Sequence, residues 1–189
     1  LVLLSHVLEQ PQTWILAHPE ARLSAPQRAE LTALVARLKQ GEPLPYLTGR
    51  QEFFGLCFEV SPAVLIPRPE TELLVETALR WLRSHPAANS AVDVGTGSGC
   101  IAVSLAVNTS TLHIVATDIS AEALAIAQRN AQTHHVEDRI TFQEADLISA
   151  ELGQFDLICA NLPYVPTSRL ATVNSLPYEP ALALDGGPD

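Results

Sequence analysis

The run Ile158-Cys159-Ala160-Asn161-Leu162-Pro163-Tyr164 ends an apolar, strand-like stretch on a polar amide. Asn161 offers one acceptor and two donors where that strand stops. Pro163 has no backbone donor and stiffens the turn, and Tyr164 adds a flat aromatic face. Side chains of these types, this close together, suit a planar nitrogen-bearing group: a carboxamide or the edge of a nucleobase. The same residues also describe a plain strand-to-loop turn in which Asn161 caps its own backbone, so the surrounding elements must decide.

Those elements alternate. A strand over 91–94 leads through a glycine loop into a helix over 101–107, and a strand over 113–117 leads into a helix over 120–133. Further strands are expected at 140–144 and 155–160. This order predicts a parallel sheet with helices on its faces. Ligands of such sheets sit beyond the carboxyl ends of the strands. The polar candidates gather there: Asp93 to Gly99, Asp118, Asp146 and Asn161.

The loop Asp93-Val94-Gly95-Thr96-Gly97-Ser98-Gly99 is spaced G-x-G-x-G, not as the G-x-G-x-x-G dinucleotide fingerprint. A carboxylate beside a helix N-terminus suits a cofactor with a cationic head better than a pyrophosphate. Asp118, nineteen positions past Gly99, can accept from both hydroxyls of a ribose. Asp146, with Leu147 beside it, stands after the third strand and can receive an adenine amino group. A glycine loop alone is equally a tight turn. Three carboxylates at successive strand ends point instead to a nucleoside-bearing cofactor, and the glycine spacing counts against a nicotinamide oxidoreductase.

Ahead of this region, residues 1–40 read as helical: Leu1, Leu4, Val7 and Leu8 share one face, as do Leu31, Leu34, Val35 and Leu38. Ser24 before Ala25-Pro26-Gln27 is a capping-box start, and Gly41 with Pro43 ends the helix. The expected organisation is a helical domain at 1–43, a β-hairpin linker at 44–66, and an α/β domain at 67–189 that is C-terminally incomplete. The run Ile66-Pro67-Arg68-Pro69-Glu70-Thr71-Glu72 opens a helix to about Ser84. Arg68 and Thr71 fit the lining of a substrate entrance. The bare alternative is a helix start whose glutamates favour the dipole, and both readings stand.

Charge bears on the partner. The net charge is -10, and residues 51–189 hold six basic against seventeen acidic side chains. An acidic body repels a phosphate backbone, which makes DNA an unlikely substrate. No apolar run approaches a membrane span. Cys57, Cys100 and Cys159 read as buried, reduced thiols of a cytoplasmic protein, and no histidine or cysteine spacing suggests a metal site.

The glycine loop with Asp93, Asp118 and Asp146 resembles the class I methyltransferases that use S-adenosylmethionine. With Asn161-Leu162-Pro163-Tyr164, the chain resembles amino-methyltransferases whose signature is Asn-Pro-Pro-Tyr. Gly41-Glu42-Pro43-Leu44-Pro45-Tyr46-Leu47-Thr48-Gly49, Val64 through Glu72, and Glu179-Pro180 through Asp189 resemble the release factor glutamine N5-methyltransferases, the HemK/PrmC family. The resemblance implies a Rossmann-like catalytic domain and a helical domain that engages release factors. It also implies methyl transfer from S-adenosylmethionine, leaving S-adenosylhomocysteine, to the glutamine of a Gly-Gly-Gln loop. Its implied cofactor contacts are Asp93, Gly95, Thr96, Gly97, Ser98, Gly99, Asp118, Asp146, Leu147 and Asn161. Its implied substrate contacts are Asn161, Leu162, Pro163 and Tyr164, the catalytic set, with Arg68 and Thr71. Leu162 departs from the signature, replacing a rigid proline while keeping the backbone carbonyl. A monomer is expected. The alternatives are an adenine-N6 DNA methyltransferase and a cofactor- or release-factor-binding piece without catalysis.

Overall fold

The computed structural model describes residues 1–148, 153–172 and 178–188. The chain divides into two compact units, Leu1–Gly49 and Arg50–Asp189.

The first unit is helical. It comprises α1 (Val2–Leu8), α2 (Gln12–Ala17), α3 (Ala25–Lys39) and α4 (Leu44–Thr48). Leu3, Val7, Leu34 and Leu47 are buried together, with Leu31, Val35 and Leu44 against them. α3 begins as its residues require. The Ser24 hydroxyl accepts from the Gln27 N–H, and the Gln27 side chain accepts from the Ser24 N–H at 2.9 Å. Helix does not run unbroken from 1 to 40, because Glu9 turns left-handed at φ 51 and Pro11 follows. The hairpin expected from residue 44 is corrected too. Pro43 and Pro45 supply pre-set φ angles for the first turn of α4, and strand begins only after Gly49.

The second unit opens with an antiparallel hairpin, β1 (Arg50–Phe53) and β2 (Leu56–Glu59), joined by Phe54-Gly55. Both turn residues have positive φ, 52° and 72°, as a tight two-residue turn needs. The hairpin packs on α7. Phe58 is fully buried and meets Phe53 edge to face, with ring centroids 6.1 Å apart. Cys57 points the other way and is exposed, contrary to the expectation of three buried thiols.

Four parallel strands form the sheet: β3 (Ser90–Val94), β4 (His113–Asp118), β5 (Ile140–Glu144) and β6 (Leu157–Ala160). Their spatial order is β5-β4-β3-β6. β6 is shorter than the 155–160 expected, and Asp156 instead accepts from the N–H groups of Asn89 and Ser90. Three helices complete the unit: α5 (Glu72–Ser84), α6 (Cys100–Asn108) and α7 (Ala121–Thr133). α5 is preceded by a 3-10 turn at Pro69–Thr71. α5 buries Val75, Ala78, Leu79 and Leu82, the 3-4 spacing of one helix face. α6 is buried from Cys100 through Ala106, which suits a helix wedged into the core. Among the described residues, no helix is long and apolar enough to cross a membrane.

Phe58→Ala is expected to cost about 3–5 kcal/mol, because a fully buried ring leaves a cavity that rigid neighbours cannot close. Urea unfolding followed by circular dichroism measures this. A loss below about 1 kcal/mol would show that the hairpin is not docked as described.

Candidate active site

The chain leaves β3 for β4 on one side and finds β6 on the other, so the sheet has its switch point at the carboxyl end of β3. The glycine loop occupies this point and is held from several directions. The Thr96 N–H donates to the Thr117 carbonyl at 2.8 Å, and the Gly97 N–H donates to Asp118 Oδ2 at 2.8 Å. The Ser98 carbonyl accepts from Asn130 Nδ2 at 2.8 Å. Gly95, at φ 68°, faces Leu162, and an added Cβ would lie 3.0 Å from Leu162 Cδ2. At Gly99, φ 79°, a Cβ would meet Ala127 Cβ at 3.0 Å, so only glycine lets α6 approach α7 this closely.

Asp93 anchors the loop from beneath. Its Oδ2 accepts from Thr96 Oγ1 at 2.7 Å and from the Ala102 N–H at 3.2 Å. Oδ1 is buried and has no hydrogen-bond partner among the described residues. Burial is the largest influence and pushes this carboxyl up to about 6, with its two hydrogen bonds opposing and Asp118 adding repulsion. The same burial, with the Asp93 charge, pushes the Cys100 and Cys159 thiols up to about 12. Such thiols stay protonated and unreactive.

A cavity of about 400 Å³ opens over the loop. Its floor is Val94 to Ser98, and its sides carry Asp118, Asp146 and Leu147 from the ends of β4 and β5. Asn161, Leu162 and Pro163 close it at the end of β6, beside Arg68 and Thr71. Asp118 is committed to structure as well as cavity, since its Oδ1 accepts from the Ser120 N–H at 3.0 Å. Each carboxylate oxygen keeps a free lone pair. Ser98 Oγ is buried beside the Cys100 thiol and has no oxygen or nitrogen partner among the described residues. The Asn161 Nδ2 donates to Thr71 Oγ1 over 3.3 Å, which leaves Oδ1 as the acceptor of that amide.

Three expected site residues do not line the cavity. Asp93 lies under the loop with no exposed surface, so its carboxylate does not face a ligand's cationic head. Gly99 serves the α6–α7 approach instead. Tyr164 is 82% exposed and lies outside the cavity, because the chain turns after Pro163 to pair Val165 with Asp185. One residue escaped the sequence reading, and a second was named there only within a family-like stretch, with no role. Asn130, almost fully buried, joins the hairpin to the loop: its Oδ1 accepts from the Glu59 N–H at 2.7 Å, while Nδ2 donates to the Glu59 and Ser98 carbonyls. Its position on the buried face of α7 was the available signal, because a buried amide needs partners. Glu179, also buried, accepts from Arg68 Nη2 at 2.6 Å and from the Ile66 N–H at 3.2 Å. Among the described residues, no cluster of histidine, cysteine and acidic side chains could hold a metal.

The residues present fit a nucleoside-bearing ligand. The glycine backbone lets it approach closely, and the carboxylates of Asp118 and Asp146 stand at two strand ends. Sheet order, loop and cavity together define a class I methyltransferase fold. Residues 69–176 match the family described as "Methyltransferase small domain", and residues 1–49 match "PrmC N-terminal domain". The chain is 44% identical to a release factor glutamine methyltransferase of Koribacter versatilis, covering 98% of this chain and 67% of that protein. It is 44% identical to one of Geobacter sulfurreducens, covering 99% of this chain and 65% of that protein. The chain belongs to the release factor glutamine methyltransferase family, and it spans about two thirds of the length of these relatives. Among solved structures, the hMettl16 catalytic domain in complex with MAT2A 3'UTR hairpin 6 aligns with a TM-score of 0.54 at 16% identity. It covers 89% of this chain and 61% of that one, a likeness of fold alone.

The raised Asp93 carboxyl sets a pH dependence. A group whose folded pKa lies above its unfolded value contributes stability below the unfolded pKa, and this is lost as pH rises through the folded value, here about 6. Asp93→Asn removes that dependence. Relative to the unsubstituted chain, the variant should gain roughly 2 kcal/mol on going from about pH 4 to about pH 7. Urea midpoints at the two pH values measure the change. An equal offset at both would mean that Asp93 ionises without cost.

Proposed function

We propose that this chain transfers a methyl group from S-adenosylmethionine to the side-chain amide nitrogen of the glutamine in the Gly-Gly-Gln loop of peptide chain release factors. Cofactor, protein substrate and cytoplasmic setting form one reading. The observation that carries it is the Asn161 amide, placed in the cavity wall with Nδ2 bonded to Thr71 and Oδ1 left to accept. The names of the relatives support the choice of a glutamine over other planar amines.

S-adenosylmethionine, when bound, supplies an electrophilic methyl group. In this reading Asp118 accepts from its ribose hydroxyls, Asp146 and Leu147 receive the adenine, and Gly95 to Ser98 give the backbone clearance. Asp93 acts only through the loop it holds.

A carboxamide nitrogen is a poor nucleophile, because its lone pair is delocalised into the carbonyl. The site answers this by positioning. Asn161 Oδ1 and the Leu162 carbonyl accept from the two N–H bonds of the incoming carboxamide, which fixes its plane and turns the nitrogen toward the cavity. Orientation of this kind is worth several kcal/mol. Leu162 supplies the carbonyl as proline would, and its side chain covers Gly95. Tyr164, now outside, forms part of the docking surface for the arriving loop. The helical unit Leu1–Gly49 is the part of this reading that engages the release factor.

A nucleobase amine on DNA is the second planar acceptor. The seventeen acidic side chains of residues 51–189 count against it.

Asn161→Ala is expected to lower methyl transfer to release factor by at least a hundredfold while cofactor affinity stays within about threefold. Labelled-methyl incorporation and calorimetry read the two quantities. Near wild-type transfer by the variant would overturn the role of Asn161, and transfer to DNA instead of release factor would overturn the acceptor. Asp118→Ala is expected to weaken cofactor binding by at least tenfold, because two ribose contacts and the Gly97 anchor are lost together. An unchanged dissociation constant would remove Asp118 from the cofactor site.

A further inference from the structure

Glu179 lies more than a hundred residues from Ile66 and Arg68 in sequence, yet a short series of contacts through them joins it to Asn161. The Glu179 side chain has no exposed surface and receives both the Ile66 N–H and the Arg68 guanidinium, the latter at 2.8 and 2.6 Å to its two oxygens. Arg68 begins the 3-10 turn Pro69–Thr71, and its carbonyl accepts from the Thr71 N–H at 3.0 Å. Thr71 Oγ1 then accepts from Asn161 Nδ2. A buried carboxylate left without its cation is costly, so the pair strongly favours one arrangement of this corner.

The segment that carries Glu179 is held at its far end as well. The Val165 N–H donates to the Leu184 carbonyl, the Gly186 N–H to the Val165 carbonyl at 2.8 Å, and Thr167 Oγ1 to Asp185 at 2.7 Å. Gly186 packs so tightly that a Cβ there would lie 2.9 Å from Tyr164 Cα. Pro180, Leu182 and Ala183 between these ends line the cavity. Residues 178–187 thus strap the turn before α5 to the loop after β6, the two pieces that flank Asn161.

We propose that Glu179 is a positioning residue for Asn161. Through Arg68 and the Thr71 hydroxyl it fixes the rotation of the Asn161 amide, so that Oδ1 and not Nδ2 faces the acceptor. Arg68 therefore acts as the middle of this strap. The kinetic arm of the test rests on the proposed amide methylation; the spectroscopic arm does not.

The experiment is a double-substitution cycle with Glu179→Gln and Thr71→Val, singly and together. The Asn161 side-chain NH₂ signals are followed by ¹⁵N NMR, assigned by their disappearance in Asn161→Asp. Each single substitution is expected to shift these signals and speed their hydrogen exchange, and the double to add little to either. For methyl transfer, each single should lower kcat about tenfold or more, with the double close to the worse single and cofactor affinity within about threefold. Unchanged Asn161 signals in Glu179→Gln overturn the proposal whether or not the chain methylates. Full additivity in the double, or a loss confined to cofactor binding, overturns it too. Shifted signals in a chain that methylates nothing would uphold the strap and refute the methyltransfer reading instead. If Glu179→Gln does not fold, Arg68→Lys takes its place with the same expectations, because lysine keeps the charge but loses the planar guanidinium whose Nη2 reaches both oxygens.

Discussion

A loop of five residues, 95–99, must cross the carboxyl end of β3 without helix or strand of its own, and every other feature of the site depends on its staying in place. Two carboxylates hold it. Asp93 grips it from below through Thr96 and the start of α6, and Asp118 takes the Gly97 N–H from the side. The Ala102 N–H among these donors is one that a helix start leaves without an intrahelical partner. The arrangement carries a cost: a buried acid raised to about 6 and an oxygen with no described partner. Strain of this kind is common where a site must be preorganised.

From that loop the architecture builds outward in layers. Asn130 ties the loop to the hairpin through Ser98 and Glu59, and α6 is buried along its length to support the loop's exit. The ends of β4 and β5 present acidic side chains to one half of the cavity, and the end of β6 presents an amide to the other. Acidic strand ends on one side and a hydrogen-bonding amide on the other suit a nucleoside-bearing donor facing an uncharged acceptor. Among the described residues β6 stands at one edge of the sheet, with Ile158 59% exposed.

Much of this was legible in the sequence because local signals and global fold agree. Ser24 with Gln27 announces α3, and the 3-4 spacing of Val75, Ala78, Leu79 and Leu82 announces α5. The strand-end residues Asp118, Asp146, Leu147 and Asn161 could be placed at one rim from the alternation of strand and helix alone. What failed did so for tertiary reasons. Asp93 reads as a ligand group from its spacing, but whether its carboxylate faces up or down depends on Thr96 and Ala102. Tyr164 follows the motif in sequence, yet pairing of Val165 with residues twenty positions later turns its ring away. Pro43, read as a helix stop, does follow the end of α3, and it also caps the start of α4, with Pro45 in the first turn of that helix. Asn130 had no motif to announce it, and Glu179 stood in a family-like stretch that gave no role for it, because their partners lie some seventy and more than a hundred residues distant.

The central claim is that the donor methyl and the Asn161 amide share one cavity. The direct measurement is a ¹³C-filtered NOE experiment with S-adenosylmethionine labelled at its methyl carbon, bound to the ¹⁵N-labelled chain. The account predicts a cross-peak between that methyl and the Asn161 side-chain NH₂. A well-ordered methyl with strong cross-peaks elsewhere and none to Asn161 would contradict it.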